Sequence, residues 1–471
     1  MLNEKYIALS DLLKQLTQYS KLNSSNPQFD SNLHTKQLTC LNEDIHWILL
    51  LSGFIFFEIN SDVNECLISN EIMKYSVNWS QYTDKNFISK LFSTLNPDQN
   101  SLTLTSSNTP LSLSLIETKL TDLSQVDPMV LIFFNVFQLC ELETQMFSLK
   151  MLDYLSPQVS KTIMWFLKEM VRSYLFMKEK NYEELSPTLQ GMFGADTEIG
   201  VVITNFLMRK LSANFYIWSS ENSSTIQTAK LLLEMVKNKD MNTILLQNKQ
   251  FWSMSNIVCV NDMPWMLLSS NAKKLIIKSL VVSLSNANME IQMHFFGTTL
   301  KPIADRYDSL ALLKYNDLHT EKCIKEVMSL IETFNGIIEG STRSMVKDLI
   351  PFLLPRLQQN VQLLDAYKSY GEIVELILEM FNCVIEKVLM NLNDESWTLD
   401  AKNQIYGCFL SLIQIFSKHN SGKKSIEANV EEDYYNDLLL FMILLNKLHS
   451  VANQTEDSRF LANQPKTTGT H

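Results

Sequence analysis

Glycine and proline are scarce. The 471 residues hold 11 of each, about a third and a half of what average usage of roughly 7% and 5% would supply. Few positions can break a helix or make the tight turns of sheets, and no period-two alternation marks strands. Long basic runs are missing too. Lysine and arginine do not extend beyond pairs such as Lys273-Lys274 and Lys423-Lys424, and the formal net charge is -11. Nothing would neutralise a row of phosphates, so no nucleic acid is expected as a direct partner. The seven cysteines (Cys40, Cys66, Cys140, Cys259, Cys323, Cys383 and Cys408) never form a C-x-x-C pair, the usage of a reducing compartment, cytosol or nucleus.

Other absences bear on function. The longest greasy runs, Ile45 to Phe57 and Leu438 to Leu445, fall short of the ~18 residues a membrane span needs, so a soluble protein without a membrane partner is expected. The opening MLNEKYIALSDLL has neither a basic region nor a small-residue cleavage site, and secretion is not expected. No Gly-rich phosphate loop, H-E-x-x-H, G-x-S-x-G or zinc-type Cys/His spacing occurs. The reading is a protein that is not an enzyme, with no catalytic residue, cofactor or metal ligand.

What remains is helix. Asp127-Pro128 and Ser156-Pro157 each place a capping side chain before a proline whose missing N–H costs nothing at the first helical position. After the second, Ile163, Leu167, Met170, Tyr174 and Met177 recur at steps of three or four. The same construction predicts helices over Asp196 to Trp218, Ser224 to Lys237 (opened by a capping box of Ser224 with Gln227), Ala272 to Leu284, Met289 to Tyr307, Asp317 to Phe334, Thr342 to Leu364, Gly371 to Leu389, Asp400 to Phe416 and Asn429 to Leu448. Taken in pairs these repeat loosely at roughly 45 to 70 residues, near the spacing of HEAT-like hairpins. The expected fold is all-α, an α-solenoid of antiparallel helix hairpins, with two globular helical domains split near Asn96 to Pro110 as the alternative. Expected boundaries are an N-terminal helix and polar linker over 1–40, helical repeats with loop insertions over 41–125, the main solenoid over 126–450, and a disordered polar tail over 451–471.

Single residues that suggest chemistry have plainer readings. His46, beside Trp47, is expected to pack and satisfy a hydrogen bond rather than act as a base. Trp165, Trp218, Trp252 and Trp265 are expected to be core or inter-repeat wedges, and Gly336 with Gly340 to mark a helix end and turn rather than a helix-pairing motif. The stretch EANVEEDYYNDLLLFMILLNKL, Glu427 to Leu448, carries more acid than a cap requires. Asn429 with Glu432 makes a capping pair, and Glu431 and Asp433 suit the positive end of a helix dipole. Glu427, Asp437 and the adjacent Tyr434 and Tyr435 add charge and π-faces at the same end, a candidate contact for a cationic cargo side chain.

Several strings taken in order also resemble a known family: CLNEDIHWILLLSGF (Cys40 to Phe54), LSPQVSKTIMWFLKEMVRSYL (Leu155 to Leu175), FGADTE (Phe193 to Glu198), IWSSE (Ile217 to Glu221) and FSKHNSGKKSIEANVEEDYYNDLLLFMILLNKL (Phe416 to Leu448). Together they are similar to the middle of the exportin-4 family of the importin-β superfamily. The resemblance implies HEAT repeats, shuttling between nucleus and cytoplasm through Phe-Gly repeats of the nuclear pore, and export of protein cargo with GTP-bound Ran. It further implies cargo such as translation factor 5A or Smad-type regulators. The repeats with which relatives clasp Ran have no counterpart before Leu41, so Ran·GTP is expected to bind this chain alone weakly. The competing reading is a cytosolic HEAT or armadillo scaffold without a transport role.

Overall fold

The computed structural model describes residues 1–21, 31–60, 65–95, 126–178, 181–194, 197–259, 263–313, 315–392, 396–420 and 436–462. The chain forms two compact units, Met1–Met254 with Asp262–Leu268 and Ser255–Asn261 with Ser269–His471. Both are built from helix hairpins, the all-α repeat architecture that the sequence predicts.

In the first unit α1 (Leu2–Lys21) and α2 (Ser31–Phe56) lead into a hairpin of β1 (Phe57–Asn60) and β2 (Glu65–Ile68), antiparallel with Phe57 opposite Ile68. Then follow α3 (Asn70–Ser80), α4 (Lys85–Ser93), α5 (Pro128–Ser148), α6 (Pro157–Ser173), α7 (Pro187–Phe193), α8 (Glu198–Ile217), α9 (Asn222–Lys237), α10 (Lys239–Leu246) and α11 (Lys249–Ser253). Asp127 accepts from Met129 N and Ser156 from Val159 N, the two expected proline-backed starts. Ser186 before Pro187 repeats the device, accepting from Leu189 N. The helices sort into two layers: α2 packs on α6 and α6 on α9, while α1 packs on α5 and α5 on α8.

Phe133 centres this core, its ring 4.8 to 6.4 Å from those of Phe56, Phe166, Tyr174 and Phe193. Each such buried side chain contributes about 1.5–3 kcal/mol of transfer free energy. Helix α5 is long and apolar enough to cross a membrane by composition, a signal the search for greasy runs passed over, but 67% of that window is buried in protein. Its place between α1 and α8 accounts for the apolar residues on every side. Burial pushes the Cys66 and Cys140 thiols up to about 12, as befits apolar fillers.

The second unit holds α12 (Ser255–Cys259), α13 (Ser270–Ser283), α14 (Met289–Phe295), α15 (Lys301–Ala311), α16 (Tyr315–Leu318), α17 (Glu321–Gly340), α18 (Val346–Ala366), α19 (Gly371–Lys387), α20 (Ser396–Asn420) and α21 (Asn436–Ala462). One layer runs α13, α17, α19, α21; the other runs α15, α18, α20. Each helix meets the helix one hairpin along, which is how stacked repeats share a continuous core.

Five expectations need correction. Ser224 does not cap α9: the helix starts at Asn222, and the Ser224 hydroxyl donates to Pro157 O at 3.0 Å, tying α9 to α6. The helix over Met289 to Tyr307 is interrupted at Phe296–Leu300 by a π-type turn, just before Pro302, whose missing N–H and ring cannot continue the α ladder. Gly336 lies inside α17 and Gly340 is its last residue. A Cβ on Gly336 would fall 2.4 Å from Lys274 O, and one on Gly340 2.8 Å from Lys278 O, so this G-x-x-x-G lets the backbones of α17 and α13 touch and is a helix-pairing motif after all. Helix α21 continues through Val451 to Ala462, where a polar tail was expected. Finally, the two units do not divide near Asn96 to Pro110, because α4 and α5, on either side of that stretch, both pack on α8.

Candidate functional site

The layer α13–α17–α19–α21 carries a half-buried charged cluster. Its origin is a helix-spacing problem. Lys274 and Lys278 stand at i, i+4 on α13, and Glu375 and Glu379 do so on α19, pairs of like charge that repel on an isolated helix. Stacking resolves the first pair. Glu339 of α17 takes Lys274 Nζ on Oε1 and Lys278 Nζ on Oε2, each at 2.7 Å. The close approach permitted by Gly336 and Gly340 brings the two helices near enough for that bridge.

Electrostatics differ along the layer. Burial would raise the Glu339 carboxyl, but hydrogen bonds from both lysines and their charges outweigh it and hold the group below the ordinary value of 4.5. Glu332 moves the other way: burial raises it, a Ser270 hydrogen bond and Lys274 oppose, and Glu379 adds to the rise. Glu379 is raised by burial against the pull of Lys274, with Glu375 and Glu339 raising it further. These carboxylates outnumber the lysines they surround, so this face holds surplus negative charge in a half-buried setting, where a cation is attracted more strongly than at an open surface.

Of the residues singled out in the sequence, Glu427, Glu431, Glu432, Asp433, Tyr434 and Tyr435 lie outside the described residues, as does the Asn429 cap. Asp437 is placed. It stands in the first turn of α21 and accepts from Leu438 N at 2.8 Å, while its neighbour Asn436 donates from Nδ2 to Glu375 Oε2 at 3.0 Å. The described end of the acidic stretch thus abuts the Glu375 end of the layer. Sequence reasoning missed Lys274, Lys278, Glu332, Glu339, Glu375 and Glu379; the like-charge i, i+4 pairs were the available signal.

The other candidates have structural tasks. Thr162 Oγ1 donates to Gln158 O at 2.9 Å, so His46 Nδ1, 2.7 Å from the same hydroxyl, carries the hydrogen and donates. The ring joins α2 to α6. Trp218 Nε1 donates to Glu143 and Trp252 Nε1 to Leu246 O, Trp165 fills the space above Gly53, and Trp265 packs edge-on against Tyr216. No group of three His, Cys, Asp or Glu among the described residues is placed to hold a metal ion.

The family model described as Exportin-4 matches residues 94–468. The chain belongs to the exportin-4 family. Exportin-4 from Dictyostelium discoideum is 20% identical over 424 residues, covering 88% of this chain and 33% of the relative. The chain therefore spans about a third of the length of that curated exportin-4. The family match includes every helix of the charged layer and the acidic stretch before α21.

Proposed function

We propose that this chain is a cargo-bearing part of a nuclear transport receptor, taking protein cargo from nucleus to cytoplasm in a Ran-GTP-dependent cycle and catalysing no reaction itself. The observation that carries this reading is the exportin-4 family match over residues 94–468. Stacked hairpins suit the task because each repeat touches only its neighbours, so small rotations between repeats add up without breaking a core. Ran·GTP and cargo then act on one another's affinity through a shared population of conformations.

The cargo face on this reading is the layer α13–α17–α19–α21. Glu332, Glu375, Glu379 and Asp437, together with Glu427, Glu431, Glu432, Asp433, Tyr434 and Tyr435 of the preceding sequence, receive a basic cargo side chain. The support is the excess of carboxylate over lysine there and the raised Glu332 and Glu379, which a cation would relieve. Translation factor 5A and Smad-type regulators are the cargo classes to try first, with Phe-Gly repeats as the pore contact. The test is calorimetry of the chain joined to the Ran-clasping repeats of a relative, because Ran·GTP is expected to bind the chain alone weakly, with such cargo in the presence of Ran locked with GTP or with GDP. Cargo affinity that differs between the two nucleotides supports the receptor reading, and a bound set indifferent to nucleotide overturns it in favour of a scaffold.

A further inference from the structure

Helix α3 lies outside both stacking layers of the first unit. It packs on α7, and its buried face, Met73 and Ser76, closes over the starts of two other helices. The Ser76 hydroxyl donates to Asp127, the cap of α5, and stands 2.8 Å from that of Ser186, the cap of α7. Ser186 N donates to Met73 Sδ at 3.3 Å, and one turn along α3 the Ser80 hydroxyl accepts from Thr188 Oγ1 at 3.0 Å. This buried hydroxyl network fixes α3 across the ends of the hairpins, so the face it turns outward is not one on which a further repeat would stack.

That outer face carries a row of aromatics. Tyr75, Trp79 and Tyr82 recur at i, i+4 and i+7, with ring centroids 6.4 Å apart in the first pair and 6.2 Å in the second. Tyr75 and Tyr82 are 45% and 64% exposed, and Trp79 is half-buried. Scattered exposed aromatics are ordinary, but three in ring-to-ring contact form one platform. Their planes are inclined by 52° and 74°, which leaves a notch on either side of the indole. Neither the two phenols nor the Trp79 indole N–H make a hydrogen bond to any described residue, so three donors stand along the row. Glu71 continues the stripe one turn before Tyr75, exposed and in no ion pair with a described residue.

This chemistry selects among ligands. A nucleic-acid strand also stacks on aromatics, but a carboxylate at the end of the row repels its phosphates. A methylated ammonium needs ring faces that converge on one point, whereas these stand in file. A polyproline II segment fits. Its pyrrolidine rings pack against aromatic faces, and its carbonyls, which have no internal hydrogen bonds, accept from indole and phenol donors. Its turn of three residues advances about 9.3 Å, close to the roughly 10.5 Å that seven helical residues put between Tyr75 and Tyr82.

We propose that the Tyr75, Trp79 and Tyr82 face of α3 is a docking surface for a proline-rich segment of a partner protein in the polyproline II conformation, with an arginine or lysine at the end that meets Glu71. Prolines enter the notches on either side of Trp79, the indole N–H holds a carbonyl between them, and Glu71 sets the direction of the bound chain. Such a segment is ordered before it binds, so a small surface suffices to hold it. Helix α3 precedes residues 94–468, and the proposal does not rest on the transport reading.

The probe is a labelled peptide of about ten prolines with an arginine at each end, so that either chain direction presents one to Glu71, titrated into the full chain by fluorescence anisotropy. One twin has alanine at alternate prolines, a second has glutamates in place of the arginines, and a Phe-Gly repeat peptide is the last arm. We expect the proline peptide to bind, the alanine twin to bind about tenfold more weakly, and Tyr82→Ala to weaken the proline peptide by a similar factor. Trp79→Phe keeps a ring but removes the N–H and should weaken binding severalfold. Glu71→Gln should abolish the preference for arginine over glutamate and leave that for proline over alanine. Tyr82 is exposed, and an unchanged melting temperature confirms that Tyr82→Ala has not unfolded the protein. Binding of no peptide, equal binding of the alanine twin, preference for the Phe-Gly peptide, or full binding by Tyr82→Ala would each overturn the proposal.

Discussion

In the first unit Lys210 of α8 and Glu143 of α5 form an ion pair sealed from water, their side chains 2% and 7% exposed, with Trp218 Nε1 on the second carboxylate oxygen at 2.7 Å. In the second unit Glu339 holds two lysines with all three side chains 21 to 25% exposed, and its neighbours Glu332 and Glu379 remain in electrostatic excess. The same residue types are satisfied to different degrees. A sealed, fully bonded pair fixes how two helices meet and has nothing left to offer a partner, whereas a half-open layer with surplus carboxylate can bind a cation at little structural cost. On the proposed reading, integrity and binding fall to different repeats.

The largest effect should come from breaking the sealed pair. Lys210→Met leaves Glu143 buried with only the Trp218 N–H, and should destabilise the first unit by about 3–5 kcal/mol in urea unfolding. Glu143→Leu together with Lys210→Met removes both charges and should recover most of that loss, because the unpaired charge rather than the missing attraction carries the cost. A double variant no better than the single one would mean that the Trp218 hydrogen bond dominates.

Next in size is Gly336→Ala. The added Cβ would meet the Lys274 carbonyl at 2.4 Å and Ile277 Cγ2 at 2.5 Å, and backbone cannot swing aside as a side chain can. A loss of about 1–3 kcal/mol is expected, the usual cost of overpacking. Moving α17 away from α13 also pulls Glu339 from Lys274 and Lys278, so a basic peptide should bind this variant differently. Unchanged stability would show that α13 and α17 are separated by more than the contact described.

This position also marks where reading the sequence stopped short. Helix starts at Asp127-Pro128 and Ser156-Pro157 were legible because a cap is completed within three residues, and the long amphipathic periods gave the all-α repeat fold for the same reason. Whether Gly336 and Gly340 end a helix or pair one depends on what lies across from them, and α13 is some sixty residues away. The charged layer was hidden likewise: Lys278 and Glu339 are 61 positions apart, and nothing local joins them. β1 and β2 are four residues each, too short for alternation to stand out from the apolar end of α2. The acidic stretch before α21 was read in isolation, and it is Asn436, beside Asp437, that reaches the carboxylate of Glu375 across 61 positions.

A smaller effect follows from pH. Glu339 is lowered in the folded chain, so its stabilising contribution is present above 4.5 and is lost as pH falls through its folded value below that. Glu332 and Glu379 are raised, so the folded state takes up their protons first, and they add stability as pH falls toward 4.5 from above. Glu379→Gln should therefore stabilise the second unit at neutral pH and remove part of the gain seen on mild acidification, while Glu339→Gln should destabilise at neutral pH and flatten the loss below 4.5. Thermal unfolding of both variants across that range decides it. Equal slopes in the two variants would contradict the opposite signs.

The smallest effect is expected at the rim of the layer, where Lys447 of α21 meets Glu386 of α19 at 2.7 Å with side chains 30% and 48% exposed. Water competes for both groups, and two long side chains must give up rotamer freedom to hold one geometry. Lys447→Gln should therefore cost no more than about 1 kcal/mol. Its diagnostic value lies in salt. A rim pair is screened over roughly 8 Å at physiological ionic strength, so the small cost should vanish as salt is raised, whereas the Lys210→Met loss should persist because no ions reach the sealed pair. Parallel urea titrations at low and high salt compare the two directly. A Lys447→Gln cost that survives high salt would mean that its aliphatic stem, packed along α19, matters more than its charge, and a Lys210→Met cost that fades with salt would mean that the pair in the first unit is open to water.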